Sequence, residues 1–254
     1  MAKSARKSSS PRKGGDRAGW LRTVLLRRRP GLKGWIGFVL TRGAGLVIAL
    51  ILALVLLFSV VNPPTTHTMW SEGRRLGHPV AQDWVPLSGI APVMARSAVA
   101  AEDANFCLHW GFDVQAIRAA IAAGNKRGGS TISQQVVKNV FLWQGRSWLR
   151  KALEAAITPA VEAIWSKRRI LEVYLNIAEM DQGVFGVGAA SQHYFGVPPD
   201  KLSPRQAARL AAVLPAPKAR SAGKPSARLR RRAAGIADGA ATIRADGRAA
   251  CFED

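Results

Sequence analysis

Residues 128–139 are GGSTISQQVVKN, a run that opens on a Gly pair and then brings hydroxyl, amide and ammonium groups close together. A core helix needs an apolar stripe, and the start of this stretch is polar or small instead. A turn that gathers backbone N–H groups and such side chains suits an anionic, oxygen-rich ligand, for which a sugar diphosphate qualifies. A Gly turn followed by the polar face of an ordinary helix explains the same residues equally well.

Positive charge is concentrated at the start of the chain. The 254 residues carry a formal net charge of +21, and residues 1–42 contain many Lys and Arg but a single acidic residue, Asp16. Residues 43–61, GAGLVIALILALVLLFSVV, carry no charge, and 19 residues span roughly the 30 Å hydrocarbon core of a membrane. Because no small-residue cleavage site follows, the sequence favours a retained single-pass anchor over a signal peptide.

The charge asymmetry predicts the topology. A basic flank stays in the cytoplasm, so we expect everything after Pro63 on the opposite side of the membrane. The basic block is then explained by its role in setting the membrane topology and by its attraction to lipid head groups. Nucleic acid is therefore not expected as a partner. We predict four zones, namely a basic cytoplasmic tail (1–42), a transmembrane helix (43–61), a folded domain (62–217) and a basic C-terminal tail (218–254).

Within the folded domain the hydrophobic pattern is helical. Helices are predicted from Pro92 into Glu102, over residues 114–121 and 132–140, over residues 148–175 with a break or kink at Pro159, and over residues 204–213. The last of these begins with a capping box and a proline at its first position. No period-two run is long enough to predict a sheet, so we expect a mainly α domain with one core. Within the C-terminal tail, a basic surface helix is expected.

The two cysteines, Cys107 and Cys251, form neither a zinc cluster nor a disulfide framework. They could bridge in an oxidising compartment, but the sequence does not show that their Cα atoms approach each other. The simplest interpretation of Cys107 is a small buried hydrophobe.

Two charged groups are candidates for chemistry. Glu102 and Asp103 end an apolar stretch, where loss of water can raise the pKa of a carboxyl group towards neutrality. Arg150, Lys151 and Glu154 share one helix face at i,i+3 and i,i+4 spacing. A solvated helix end explains the first group equally well, and a surface salt-bridge cluster is the commoner explanation of the second.

Together these groups suit glycosyl transfer from a diphosphate-linked sugar. One carboxylate would take a proton from the attacking hydroxyl, and cations would stabilise the departing diphosphate. Hydrolysis of a glycoside also uses two carboxylates, but its neutral leaving sugar needs no cluster such as Lys138, Arg150 and Lys151. The number of cations therefore favours transfer.

The order of the motifs resembles the peptidoglycan glycosyltransferases, glycosyltransferase family 51, and in particular the monofunctional transglycosylases among them. Five motifs over about residues 85–217 carry the resemblance: Glu102-Asp103-x-x-Phe106-x-x-His109-x-Gly111-Phe112-Asp113, residues 128–135 with Lys138-Asn139, Arg150-Lys151-x-x-Glu154, Lys167-x-x-Ile170-Leu171-Glu172-x-Tyr174-Leu175-Asn176, and Gly183-x-Phe185-Gly186 through Ala190 to Tyr194-Phe195. Residues 180–182 depart from the usual acidic–aromatic–Gly run and are given no role. Residue His193 stands where aromatic residues are frequent and is interpreted as packing.

The resemblance implies a lysozyme-like helical fold and lipid II as substrate, with the nascent glycan strand as donor and no organic cofactor. Glu102 would be the general base and Glu154 would support the donor side, these two forming the catalytic set. The implied substrate-binding residues are Asp103, Phe106, His109, Ser130, Thr131, Gln134, Gln135, Lys138, Asn139, Arg150 and Lys151. It also allows a divalent cation, Mg or Mn, at the pyrophosphate, although no metal motif is visible.

The resemblance further implies a location in the bacterial inner membrane, with the catalytic domain in the periplasm and cell-wall synthesis or division proteins as partners. No transpeptidase activity is expected. Two rival hypotheses remain, a membrane-bound glycoside hydrolase and a non-catalytic scaffold that recruits partners through its basic tails. The hydrolase would act on isolated glycan without a lipid-linked donor, and the scaffold would tolerate replacement of Glu102 and Lys138.

Overall fold

The computed structural model describes residues 32–122, 124, 129–145 and 147–253. The predicted tail up to residue 31 and Gly128 of the quoted run lie outside them. The helices are α1 (Leu32–Phe58), α2 (His67–Leu76), α3 (Pro92–Glu102), α4 (Val114–Ala122), α5 (Ile132–Phe141), α6 (Trp148–Ile164), α7 (Lys167–Ile177), α8 (Gly186–Phe195), α9 (Pro204–Val213), α10 (Ala227–Ala245) and α11 (Ala250–Glu253). The strands are β1 (Ala81–Gln82), β2 (Glu179–Asp181) and β3 (Val184–Phe185). The predicted mainly α fold is confirmed.

The described residues form two compact units, which divide between Ala49 and Leu50. Within α1, the segment Trp35–Phe58 is long and apolar enough to cross a membrane. Its apolar side chains are largely exposed, as a lipid-facing helix requires. The helix begins earlier than the predicted span of 43–61 and includes Arg42, whose guanidinium lies 4.4 Å from the ring centroid of Phe38.

The last turn of α1, which belongs to the second unit, is held by Trp165, which follows α6, and by Arg169 of α7. Trp165 donates its indole N–H to the carbonyl of Val55 over 2.7 Å. Arg169 donates to the carbonyls of Phe58 and Val61, at 3.0 and 2.7 Å. Because the last carbonyls of a helix have no intrahelical partner, the guanidinium satisfies the end of α1.

Two helix groups build the core of the second unit. In one, α3, α9 and α10 pack against each other, and in the other α5 packs against α6 and α7. The side chains of Tyr174, Phe106 and Phe185 are among the largest that are fully buried. Six of the described helices begin after a Ser or Thr whose side chain caps them, and among these α5 and α9 start with a complete capping box.

A small sheet corrects the expectation that none would form. Strand β3 lies in the middle, parallel to β1 and antiparallel to β2, with Ala81 opposite Val184 and Glu179 opposite Phe185. Gly183, at φ +72°, makes the turn that joins β2 to β3. Strands of two or three residues are too short to leave an alternating pattern in the sequence.

The predicted break at Pro159 did not occur, because α6 continues through it to Ile164, and the alternative of a kink there stays a prediction. The helical pattern is interrupted instead before Ser166, whose hydroxyl accepts a hydrogen bond from Arg169 N at 3.1 Å and caps α7. A capping residue starts a new helix, which can take a new direction. A proline removes only one backbone hydrogen bond, so a helix whose face is packed can continue through it.

The segment expected as a C-terminal tail contributes to the core. Helix α10 buries Leu229, Ile236 and Ile243, and the ring of Phe252 in α11 is 1 % exposed. Cys107 and Cys251 form a disulfide, which settles the alternative that the sequence left open. The apolar residues of α10 are spaced among Arg and Ala, so the charge of the segment concealed its buried face.

Candidate active site

The carboxyl group of Glu102 lies at the C-terminal end of α3, with its side chain 14 % exposed. Its Oε2 accepts a hydrogen bond from Gln135 Nε2 at 3.1 Å, and its Oε1 lies 3.8 Å from Arg232 Nη2. Burial raises the pKa of Glu102 above its ordinary value, although Gln135 and the positive charges of Arg232 and Arg220 oppose the shift. A carboxyl group with a raised pKa is suited to accept a proton from a hydroxyl near neutral pH.

Asp103 fixes the position of Glu102 from the next residue along the chain. Its Oδ2 accepts from the backbone N–H of Ile132 at 2.9 Å, and its Oδ1 lies 2.8 Å from His109 Nε2. The carboxylate therefore binds the first turn of α5, where a negative charge is favoured. Through this contact the end of α3, which carries Glu102, is joined to the start of α5, which carries Gln135.

The first turn of α5 is occupied by its own capping box. Thr131 and Gln134 satisfy each other's backbone N–H groups, and the Thr131 hydroxyl also donates to the carbonyl of Gly111 at 2.7 Å. Both side chains are buried. The structure thus places these two predicted ligand-binding residues in the framework of the site, while Gln135 faces Glu102.

Lys138 follows Gln135 by about one helical turn on α5. Both side chains line one cavity, which has a volume of about 160 Å³. Asn139, Tyr174 and Glu179 also line this cavity. Burial lowers the pKa of Lys138, and the positive charges of Arg150 and Lys151 act in the same direction. A buried ammonium group in this setting gains from a negatively charged ligand.

The second group of charges forms a compact cluster on α6. Glu154, with its side chain 3 % exposed, accepts from Arg150 Nη1 at 2.7 Å and from the ammonium of Lys151. Arg150 Nε also donates to the carbonyl of Gly145, and Lys151 Nζ donates to Ser130 Oγ at 3.1 Å. Two cations share one carboxylate, so this cluster and Lys138 together retain excess positive charge.

Two further predicted residues, Phe106 and His109, do not line this cavity. The ring of Phe106 is fully buried, with Lys167 Nζ 4.5 Å from its centroid. His109 bonds Asp103, and its carbonyl accepts from Lys167 Nζ at 2.8 Å. Lys167 also pairs with Glu162 over 2.8 Å. These contacts stabilise the loop that follows Glu102, so the structure places Phe106 and His109 behind the carboxyl group.

Sequence reasoning missed two residues that act on Glu102. Arg232 comes from α10 and Arg220 from the segment before it, both in the region expected as a tail. Residues 228–232, RLRRR, contain four arginines, and nothing in that run distinguishes the one that approaches a carboxylate of α3. The only available signal was the apolar spacing of Leu229, Ala233 and Ile236, which predicts that the segment packs.

The described residues offer little support for a bound metal. No group of three or more His, Cys, Asp or Glu side chains within residues 32–122, 129–145 and 147–253 could hold a metal ion. Both oxygens of Glu154 already accept from cations. The divalent cation that the resemblance implies stays a prediction, because Mg²⁺ at a diphosphate is held by one or two carboxylates together with phosphate oxygens.

Comparison with known proteins gives a consistent result. The family model for transglycosylases matches residues 71–241. A biosynthetic peptidoglycan transglycosylase from Jannaschia sp. (strain CCS1) is 58 % identical over 252 residues, covering 99 % of both chains. Proteins of the same name from Pseudomonas putida (strain GB-1) and Pectobacterium carotovorum (strain PC1) are 49 % and 47 % identical, covering 73 % and 79 % of this chain and 82 % and 86 % of their own lengths.

The match reaches residue 241, so it includes most of α10, which supplies Arg232 to the site. It also spans Glu102, Lys138 and the cluster on Glu154. The matched family model, the charged residues that it spans and these relatives support one assignment. The chain belongs to the transglycosylase family and is a peptidoglycan glycosyltransferase of cell-wall synthesis.

Proposed function

We propose that this chain polymerises lipid II into β-1,4-linked glycan strands and releases undecaprenyl diphosphate. One observation carries the proposal: Gln135 bonds the Glu102 carboxylate and lines, with Lys138, a single cavity. A proton acceptor and a buried cation are thereby held on the same side of α5. Polymerisation of a lipid diphosphate needs both groups in one cleft.

The proposed reaction uses these positions. Glu102 takes the proton from the 4-hydroxyl of the acceptor sugar, and the oxygen attacks C1 of the terminal sugar of the growing strand. The C1–O bond to the diphosphate breaks with inversion, because the hydroxyl enters on the face opposite to the leaving group. The electron pair remains on the diphosphate, and Lys138, Arg150 and Lys151 stabilise its negative charge.

Glu154 acts through its two partners in this scheme. Its side chain is nearly inaccessible, and both oxygens hold cations, so it has no free atom to offer the sugar. It keeps Arg150 and Lys151 in place, which makes it a positioning residue. In this form Glu154 supports the donor side of the reaction, as the resemblance implies.

The proposed location is the inner membrane, with the second unit in the periplasm. Helix α1 supplies a single-pass anchor, and the basic residues before it favour a cytoplasmic N-terminus. The Cys107–Cys251 disulfide supports this side of the membrane, because disulfides persist in the oxidising periplasm and are rare in the cytosol.

The test is incubation of the detergent-solubilised full chain with fluorescent lipid II, followed by separation of products by size. Wild type should give long, lysozyme-sensitive and uncross-linked products, and Glu102→Gln should give none. Glu253→Gln is the matched control, since Glu253 pairs with Arg96 at 2.5 Å on another part of the domain. Normal polymer from Glu102→Gln would refute the role of the base, and clearing of isolated sacculi without lipid II would favour the hydrolase.

A further inference from the structure

A groove lies between α9 and α10, away from the candidate active site. It has a volume of about 410 Å³, and the described residues that line it include four alanines and three arginines but no carboxylate. The arginines are Arg205 and Arg209 of α9 and Arg230 of α10. At 3.6 residues per turn, the residues of α10 that line the groove lie roughly opposite to Arg232, the residue that contacts Glu102.

The positive charge of the groove is not neutralised within the part of the chain that the structure describes. Arg205 and Arg209 stand at i,i+4 spacing, so their guanidinium groups share one side of α9, and neither forms an ion pair or a hydrogen bond with a described residue. Arg230 Nη1 donates to the carbonyl of Pro225 at 2.8 Å, a neutral acceptor that leaves its charge uncompensated. Like charges at i,i+4 spacing destabilise a helix, so this surface gains from an anionic partner.

The apolar part of the groove indicates the kind of partner. Ala208 and Ala233 are buried, Ala237 is half-buried and Ala234 is exposed. Because an alanine side chain ends at Cβ, the apolar residues of another chain can approach both helices closely. A groove with an apolar lining between two helices is the kind of surface that receives the apolar face of an amphipathic helix.

The spacing of the charges fits the same partner. Carboxylates one turn apart on a bound helix would lie about as far apart as Arg205 and Arg209 do on α9. Arginine pairs with carboxylates in a bidentate manner and is enriched in protein interfaces. The end of the membrane anchor is held by Trp165 and Arg169, which belong to the other helix group, so the position of the groove favours a protein over the membrane surface.

We propose that the groove between α9 and α10 binds an acidic amphipathic helix of a partner protein. Its apolar face lies on the alanines, and its carboxylates pair with Arg205 and Arg209. This interaction surface goes beyond the proposed function, because no residue of the groove belongs to the catalytic or diphosphate-binding groups.

The experiment measures binding of a designed peptide to the full chain in phosphatidylcholine nanodiscs by fluorescence anisotropy. The labelled helical peptide carries Leu at i, i+3, i+4 and i+7 and Glu at flanking positions one turn apart, and a matched peptide carries Gln in place of Glu. Wild type should bind the Glu peptide at least about tenfold more tightly than the Gln peptide, the effect of one charged hydrogen bond. Arg205→Gln combined with Arg209→Gln should abolish this preference.

Two pairs of variants separate the groove from general attraction to a basic protein. Arg231→Gln is the charge control, since Arg231 is an exposed arginine of α10 that does not line the groove, and it should retain the preference for the Glu peptide. Ala234→Trp keeps every arginine but fills the groove, so it should weaken binding of both peptides. Ala241→Trp, at an exposed position of α10 outside the groove, should leave binding unchanged.

The proposal is overturned if wild type binds the two peptides equally, or if the double arginine variant keeps the preference with unchanged thermal unfolding. Flotation with phosphatidylglycerol vesicles tests the membrane as the alternative occupant. If the double variant loses vesicle binding but binds the Glu peptide as wild type does, the groove faces lipid and the proposal fails. Polymerisation of lipid II by the double variant should equal that of wild type, and its loss would assign the groove to the reaction instead of a partner.

Discussion

Replacement of both cysteines should destabilise the second unit strongly, because the disulfide closes a long loop. Cys107 and Cys251 are separated by 144 residues. The chain-entropy relation for a loop of that length gives about 5 kcal/mol at 25 °C, at the upper end of what disulfides contribute. For a unit of this size, each kcal/mol moves the Tm by about 2–4 °C, so Cys107→Ser with Cys251→Ser should lower the Tm by about 10–20 °C.

The assay is thermal unfolding of the full chain in detergent, followed by intrinsic fluorescence. Reductant should lower the Tm of the wild type and leave the double variant unchanged, which separates the bond from general effects of reductant. Lipid II polymerisation at 20 °C should survive, because Phe252 stays buried and Arg248 Nη1 still donates to the carbonyl of Ala104. A Tm within about 2 °C of wild type would refute the loop-closure argument.

Three further predictions concern the site. Because burial raises the pKa of Glu102, the acid limb of the pH–rate profile for polymerisation should lie above the ordinary carboxyl pKa of 4.5. Arg232→Gln should move this limb to higher pH, because it removes a positive charge that lowers the pKa of Glu102. A limb that does not move would contradict the contact between Arg232 and Glu102. Asp103→Asn should lower the Tm, since it weakens a charge-assisted bond to α5 worth about 1.5–3 kcal/mol, and should reduce kcat with little change in KM. Glu154→Gln should destabilise the domain by about 3–5 kcal/mol by leaving Arg150 without its carboxylate, and calorimetry against Glu253→Gln as control checks this.

Local signals in the sequence predicted the helices that carry the site. Pro92 at an early helical position marked where α3 begins, and the capping box of Ser203 and Gln206 marked the start of α9, which packs against α3. Caps depend on residues within one turn of each other, so their patterns can be recognised without knowing the fold. The i,i+4 spacing of Arg150 and Glu154 was informative for the same reason.

The contacts that the sequence left open or missed join distant parts of the chain. Cys107 and Cys251, and likewise Glu102 and Arg232, meet only because α10 and α11 fold back onto the domain. Their pairing depends on packing of α10 against α3, and the run of arginines favoured a solvated tail instead. Burial of Phe106 was hidden similarly, because an aromatic residue in a motif fits a core position as well as a ligand contact.

The charges of the site are held where they reduce the stability of the fold. Burial raises the pKa of Glu102, so its contribution to stability is complete below the ordinary carboxyl value and is lost as the pH rises through the raised one. Burial lowers the pKa of Lys138, whose contribution is complete at high pH and is lost as the pH falls through the lowered value. Where the groups are charged, these two losses of stability apply. An anion that pairs with Lys138 removes one of them, so binding of a diphosphate stabilises the folded state. The desolvation that destabilises the empty site also strengthens the electrostatic attraction between Lys138 and the leaving diphosphate.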